Sequence, residues 1–287
     1  MGQGQDVTTW FITGSSGGLG RALTEHLLAA GHQVVATARD TAAVDDLTTA
    51  YPRTAAAVRL DVTDRESIRT AVAAAEDRFG GIDVLVNNAG YGYTAAVEEG
   101  EEGAVDRLFA TNFFGPVAVV KAALPGMRRR GKGLIINVSS VGARITLPGG
   151  GYYSAAKAAL EGLSGSLRKE VEPLGLRVMV VEPGSFRTDF RGRSADRSST
   201  TIGAYDEVLG RTGGRALGPQ RGEPARAAAA ILTAAEAAEP PRLLLLGSDA
   251  LGGFHSAAAE LAREVERFES LARSTDAEPG RLTARER

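Results

Sequence analysis

Cysteine is absent from the 287-residue chain, and histidine occurs only as His26, His32 and His255. The first absence excludes disulfides, thiolate nucleophiles and cysteine-ligated zinc, and it fits a reducing compartment. The histidines are too scattered in sequence to suggest a metal site or a histidine-based triad, so no metal is expected. Lysine is scarce too, four against 29 arginines, which makes the placement of each lysine informative. No apolar run is expected to reach the length of a membrane span. Met1 to Gly14 holds no basic segment followed by an apolar one, and Asp6 stands where a myristoylation motif needs Ser or Thr. The formal net charge is only −2, so no electrostatic pull toward nucleic acid or membrane is expected. The chain reads as cytoplasmic, with no nucleic-acid and no membrane partner.

What is present is alternation. Short β-type runs at Thr8–Thr13, Gln33–Ala38, Ala56–Leu60, Ile82–Val86, Leu134–Val138, Arg177–Val181 and Arg242–Leu246 are separated by longer helical patterns. That order predicts a doubly wound α/β fold, a parallel seven-stranded sheet with helices on both faces. The helices are expected over Gly18–Ala30, with Gly31 as C-terminal cap, and over Thr41–Ala50. One more opens with a Thr63–Glu66 capping box and runs to Phe79. Others span Ala104–Arg130, broken near Pro116 and Pro125, then Tyr153–Val171, a helix opened by Glu223-Pro224, and Gly253–Arg273. Residues 1–275 read as one domain and 276–287 as a polar tail.

Between the first strand and first helix lies Thr13-Gly14-Ser15-Ser16-Gly17-Gly18-Leu19-Gly20. A glycine-rich turn leading into a helix N-terminus offers amides and a positive dipole end to a pyrophosphate. Gly14 allows the tight turn; Gly18 and Gly20 remove side chains where backbone meets phosphate and helix meets sheet. The spacing is G-x-x-x-G-x-G. The second strand ends Ala36-Thr37-Ala38-Arg39, with no carboxylate at 36 to 38 to bond a ribose 2′-hydroxyl. Arg39 instead offers a guanidinium to a 2′-phosphate, so NADP(H) is favoured over NAD(H). Asp61-Val62 follows the third strand, placed to touch adenine, and Asn87-Asn88-Ala89-Gly90 follows the fourth, where small residues let the chain pass under a cofactor.

Tyr153 and Lys157, four apart at the start of a helix, share a face. A phenol that titrates near pH ~10 becomes a useful acid–base group once an ammonium stabilises its phenolate. Ser139-Ser140 closes the fifth strand, at the sheet edge where ligands bind; either hydroxyl could polarise a carbonyl. Asn112 sits inside a helical stretch where Asn is a poor former, and so holds a water or caps a kink.

Taken together, Thr13–Gly20, Asp61-Val62, Asn87–Gly90, Asn112, Ser140, Tyr153 with Lys157, and Pro183-Gly184 with Thr188 resemble the short-chain dehydrogenase/reductase family in its short, single-domain Rossmann-type form, over about residues 8 to 250. The resemblance selects Ser140, thirteen residues before the tyrosine, over Ser139, and Tyr153, followed by Ser-Ala-Ala-Lys, over Tyr152. It implies that Tyr153 is the acid or base, Ser140 orients the carbonyl, Lys157 binds the nicotinamide ribose, and Asn112 supports a proton-relay water. Gly14, Gly18 and Gly20 would line the phosphates, with Ser16, Gly17 and Leu19 in the same turn. Asn88, with Ala89 and Gly90, would lie by the adenosine ribose; Pro183, Gly184, Phe186 and Thr188 would frame the nicotinamide. Ser16 stands where a second basic residue is often found in NADP-preferring relatives. The resemblance also implies a homodimer or homotetramer.

The expected reaction is hydride transfer between NADP(H) and a small-molecule carbonyl or secondary alcohol, as in a ketoreductase or alcohol dehydrogenase. A non-catalytic NADP-binding sensor and an epimerase or dehydratase on the same fold are the alternatives. Residues 190–222 are expected to form a lid, Tyr91, Tyr93, Leu147 and Phe190 an apolar cleft, and Arg191, Arg193 and Arg197 a solvated face. Arg128–Lys132 reads as cations at a helix C-terminus.

Overall fold

The computed structural model describes residues 7–192, 194–212 and 220–277. In chain order the elements are β1 (Thr9–Ile12), α1 (Gly18–Ala29), β2 (Gln33–Ala38), α2 (Asp45–Ala50), β3 (Ala55–Arg59), α3 (Arg65–Phe79), β4 (Val84–Asn87) and β5 (Gly92–Thr94). They continue with α4 (Glu102–Phe109), α5 (Gly115–Arg130), β6 (Gly133–Val138), α6 (Gly151–Val171), β7 (Leu176–Pro183) and β8 (Ala195–Arg197). The last are α7 (Pro224–Ala235), β9 (Leu243–Leu246), α8 (Ser248–Arg267) and α9 (Glu269–Arg273).

Seven strands form one parallel sheet in the order β3-β2-β1-β4-β6-β7-β9. Strand side chains alternate between faces, and both faces are apolar. On β1, Trp10 and Ile12 enter one core with Leu23, Leu27, Ile231 and Leu232 of α1 and α7. Phe11 enters the other with Ile68, Val119, Met127, Leu167 and Val171 of α3, α5 and α6. This two-sided burial is why β1 reads as an unbroken apolar run. The chain winds outward from β1 to β3 and then reverses to β4, which opens a crevice at the C-terminal ends of β1 and β4.

Four local expectations need correction. The cap of α3 is Asp64, whose carboxylate accepts from the Glu66 amide, while Thr63 donates its hydroxyl to Asp61 at 2.7 Å; the nearby Asp61 acceptor draws the threonine away from the cap. The break in the Ala104–Arg130 run is a π-helical turn at Ala110–Phe114, and Pro116 merely opens α5. Pro125 lies within α5 on an exposed position, where the carbonyl it leaves unbonded can face water. The combined helix Glu102–Arg130 is long and apolar enough to match a membrane span by length and composition. Its Val119, Val120, Ala123 and Met127 are core residues. The final helix begins at Ser248 and breaks at Phe268.

A second, two-stranded parallel sheet joins β5 to β8. It anchors the segment expected to be a lid. Beyond β8, Ile202 donates its amide to Glu99 at 2.7 Å, Arg211 binds the same fully buried carboxylate with its two terminal guanidinium nitrogens, and Tyr205 donates its hydroxyl to Glu98 at 2.6 Å. Arg193, residues 213–219 of the lid and residues 278–287 of the tail lie outside the described residues.

Candidate active site

At the crevice, Thr13 leaves β1 and Gly14 turns with φ +74, in the left-handed region. The Thr13 hydroxyl accepts from the amides of Asn88 and Ala89 at 2.9 Å each, tying this turn to the end of β4. Asn88 donates its side-chain amide to the carbonyls of Thr13 (2.9 Å) and Gly14 (3.1 Å). Asn88 thus braces the turn at the place where the adenosine ribose is expected. A Cβ on Gly20 would overlap both the Gly14 carbonyl and that Asn88 amide, so Gly20 lets α1 pack back onto the turn. Gly18 faces the Thr188 side chain across the crevice, 3.6 Å from where a Cβ would lie. Ser16, Gly17 and Gly18 are exposed, and Leu19 leans into the core. Gly17 caps α1 without any side-chain bond to its first amides, and a Cβ there would meet nothing within 4 Å. Open space above unpaired amides at a helix N-terminus fits a pyrophosphate.

Arg39 is exposed at the end of β2, close enough to Asp61 to help hold its carboxyl below the usual carboxylate range. The larger causes are the hydroxyl and amide of Thr63. Val62 is buried against Gly115. The open turn, with Arg39 exposed at the end of the neighbouring strand, suits the adenosine end of a dinucleotide.

The candidate chemical groups lie just beyond β6 and in the first turns of α6. Ser140 accepts from the Gly142 amide at 3.0 Å, and its hydroxyl bonds the Tyr153 phenol. Ser139 instead donates to Glu161 at 2.6 Å, and Tyr152 donates to the Val97 carbonyl at 2.6 Å. Both neighbours are therefore engaged away from Ser140 and Tyr153. Lys157 is buried, donates to the Val138 carbonyl at 2.8 Å, and lies 5.9 Å from the centre of the Tyr153 ring. The phenol is not drawn down, as the bare pairing suggested. Burial pushes it up to about 12, and the Ser140 bond only partly offsets this. Burial also lowers Lys157 to about 8, against the pull of Glu161. The residues come together as expected, in an electrostatic state that keeps Tyr153 protonated.

Asn112 occupies the π-helical turn, fully buried, and exchanges two bonds with the Tyr91 backbone, 3.0 Å to its amide and 2.8 Å to its carbonyl. A Cβ at Gly90 would lie 3.0 Å from its side-chain oxygen and 3.4 Å from Lys157 Nζ, so Asn112 and Lys157 both border Gly90. After β7, Gly184 donates to the Leu246 carbonyl at 2.9 Å, which fixes Pro183-Gly184 at the sheet edge. The Phe186 ring packs on Gly222, and the Thr188 hydroxyl caps the next turn by accepting from Phe190 at 3.3 Å. Phe190 packs on the Tyr153 ring at 5.7 Å, and Leu147 is exposed. Tyr93, by contrast, is 2% exposed within a small core of Ala95, Ala104 and Leu108. It is a packing residue rather than part of a cleft.

Sequence reasoning missed Arg144, Glu161 and Glu182, which join at the base of this site. The signal was present as a carboxylate one turn after Lys157 and another immediately before Pro183, but nothing in sequence pairs residues so far apart.

The short chain dehydrogenase family model matches residues 8–198. Oxidoreductase BOA17 of Botryotinia fuckeliana is 38% identical over 269 residues, covering 91% of this chain and 97% of that protein. A short-chain dehydrogenase from Streptomyces avermitilis superposes with a TM-score of 0.88 at 43% identity, covering 95% of this chain and all of that one (100%). One from Burkholderia cenocepacia in complex with NADP gives 0.73 at 27% identity, covering 91% and 97%. A 3-ketoacyl-(acyl-carrier-protein) reductase from Brucella melitensis complexed with NADH gives 0.68 at 26%, covering 83% and 96%.

Proposed function

Because the chain belongs to the short-chain dehydrogenase/reductase family, we propose that this oxidoreductase transfers hydride between NADP(H) and a small-molecule carbonyl or secondary alcohol, with Tyr153 as general acid or base. The observation that carries the reading is the convergence on Tyr153: the Ser140 hydroxyl bonded to its phenol and the buried Lys157 5.9 Å from its ring. Bound at the open turn, NADPH would supply the hydride for carbonyl reduction. Ser140 holds the carbonyl oxygen and draws electron density toward it. Tyr153, protonated at neutral pH, gives its proton to that oxygen, and Lys157 stabilises the phenolate that remains. Asn112, fixed to Tyr91, holds the backbone beside Lys157 in place. Thr188 and the Pro183-Gly184 edge would frame the nicotinamide.

NADP rather than NAD rests on Arg39, on the absence of a carboxylate at 36–38, and on the NADP complex of the Burkholderia cenocepacia relative. A charge-assisted bond to a 2′-phosphate is worth about 1.5–3 kcal/mol. Arg39→Ala is expected to raise the KM for NADPH by about 10- to 100-fold and leave that for NADH unchanged. Fixed-substrate kinetics with both cofactors measure this, and an unchanged NADPH preference would remove Arg39 from the cofactor site.

The working location is the cytoplasm, and the working form a homodimer or homotetramer. Leu261 and Val265 on α8, Phe268 at the break and Leu271 on α9, all exposed, give such an assembly an apolar face to cover. The decisive assay is a panel of ketones and secondary alcohols with NADPH, NADP, NADH and NAD, read by nicotinamide absorbance. A purified protein that turns over none of them would defeat the reading.

A further inference from the structure

Directly behind Ser140 and Lys157 sits a cluster of charges that the hydride-transfer chemistry leaves unused. Ser140 caps a short turn at Val141–Ala143, and Arg144 follows it. The Arg144 side chain reaches back under the turn and grips two carboxylates on two different elements. Its Nε donates to both Glu182 oxygens, at 2.8 and 3.1 Å, and its Nη2 donates to Glu161 at 2.7 Å. Glu182 lies on β7 immediately before Pro183, and its side chain is 0% exposed. Glu161 lies on α6 one turn after Lys157, and its other oxygen accepts from Ser139 at 2.6 Å. Ser139 in turn points its hydroxyl at the Lys157 carbonyl, 3.4 Å away. From the outer side, the Phe254 ring of α8 covers the guanidinium at 5.2 Å.

We propose that Arg144 is a positioning residue for Ser140: by holding Glu161 of α6 and Glu182 of β7 at once, it fixes the serine turn relative to the helix that carries Tyr153 and Lys157. This rests on the catalytic reading of Tyr153 and Ser140 given above. Three facts carry it. A buried carboxylate is costly without a partner, so Glu182 cannot release Arg144 without leaving itself unpaired. The arginine fork spans two acceptors in one plane, which a lysine cannot do. The turn between Ser140 and Arg144 is short, so a shift of the guanidinium is passed to the serine. Glu182 is pushed up to about 7 by its burial and by the neighbouring Glu161, with Arg144 pulling the other way. The charges acting on it are Arg144 from the turn and Glu161 from α6; Lys157 acts on Glu161, and of α8 the Phe254 ring covers the guanidinium while Asp249 accepts from the Ser185 amide beyond β7.

The test is a double-mutant cycle on kcat with NADPH and whichever carbonyl the panel identifies. Arg144→Gln is expected to lower kcat by roughly 10- to 100-fold, the scale of a misplacement of about 1 Å at a reacting group. The NADPH dissociation constant, read by fluorescence, stays within about twofold because the phosphate turn lies on another strand. Ser140→Ala lowers kcat by itself. In the Ser140→Ala background, adding Arg144→Gln is expected to change kcat by less than about threefold, because its route to the chemistry is already gone. Arg144→Lys, which keeps the charge and loses the fork, falls between wild type and Arg144→Gln. Since Arg144→Gln strips Glu182 of its cation, Arg144→Gln/Glu182→Gln is made in parallel as a folding-safe version with the same expected cycle. Losses that multiply in the double variant would overturn the proposal, since they would place Arg144 outside the serine's path. An Arg144→Gln enzyme within about twofold of wild type would do the same. A wild-type protein with no turnover on the panel removes the catalytic reading and the positioning role with it.

Discussion

Tyr153→Phe is expected to cut kcat for carbonyl reduction by about 10²- to 10⁴-fold, the contribution of a positioned general acid, and to leave NADPH binding intact. The ring keeps its volume and its packing on Phe190 at 5.7 Å. Only the hydroxyl and its bond to Ser140 disappear, which costs about 1 kcal/mol of stability. Activity and folding therefore separate. The direction of the loss follows from the protonation state. With its phenol pushed up to about 12, Tyr153 holds its proton at every pH where the protein is assayed. It is set to donate, so reduction should be the faster direction near neutrality. Lys157 sets the alkaline limit. Its ammonium is lowered to about 8, so it is charged below that pH and neutral above it. The kcat/KM for reduction is expected to be level through neutrality and to fall as pH rises past about 8, when the phenolate left by proton transfer loses its nearby cation. Stopped-assay rates from pH 6 to 10, with nucleotide binding followed by fluorescence, measure both. Turnover within about tenfold of wild type in Tyr153→Phe, with binding retained, would take the proton transfer away from this residue.

The sheet was legible because its signal is local. Residues on β1, β2, β6 and β7 are apolar on both faces, and turn residues punctuate them, so strand order in sequence and helical crossovers suffice to give a parallel stack. The separation of Ser140 from Ser139, and of Tyr153 from Tyr152, came from family spacing. In the structure Ser139 and Tyr152 are tied to Glu161 and Val97, while Ser140 meets Tyr153. What stayed hidden depends on contacts between distant segments. Asp61 drew Thr63 away from the helix cap, which no propensity encodes. The π-helical turn around Asn112 needed the Tyr91 backbone as a partner. The pairing of β5 with β8 joins segments about a hundred residues apart and shorter than any strand pattern can reveal. The phenol's state is hidden for a related reason. The four-residue spacing measures proximity to Lys157, whereas burial, a property of the whole fold, dominates the balance.

Three glycine substitutions should separate the cofactor cradle from the fold that supports it. In Gly20→Ala the new methyl overlaps the Gly14 carbonyl and the Asn88 side-chain amide. Neither can yield cheaply. The carbonyl belongs to a turn held at φ +74, and the amide already bonds both Thr13 and Gly14. The first turn of α1 must move outward, at a cost of about 1–3 kcal/mol for the overlap plus roughly 1 kcal/mol for each Asn88 bond lost. The expected drop in Tm is roughly 5–10 °C, together with a loss of NADPH affinity, because the displaced amides are the ones that would meet the pyrophosphate. Gly17→Ala is the opposite case. Its backbone is extended at φ −171 and a Cβ meets nothing within 4 Å, so the only folding cost is a poorer helix cap, at most about 1 kcal/mol. If pyrophosphate fills that open space, Gly17→Ala weakens NADPH binding with Tm nearly unchanged. Gly80→Ala completes the set: its φ of +81 penalises any side chain, yet it caps α3 far from the crevice. It is expected to lower Tm by a few degrees and leave NADPH binding alone. Differential scanning calorimetry and nucleotide titration of the three proteins give six values with a definite pattern. Normal NADPH affinity in Gly17→Ala would move the phosphates off this turn, whatever the other two variants do.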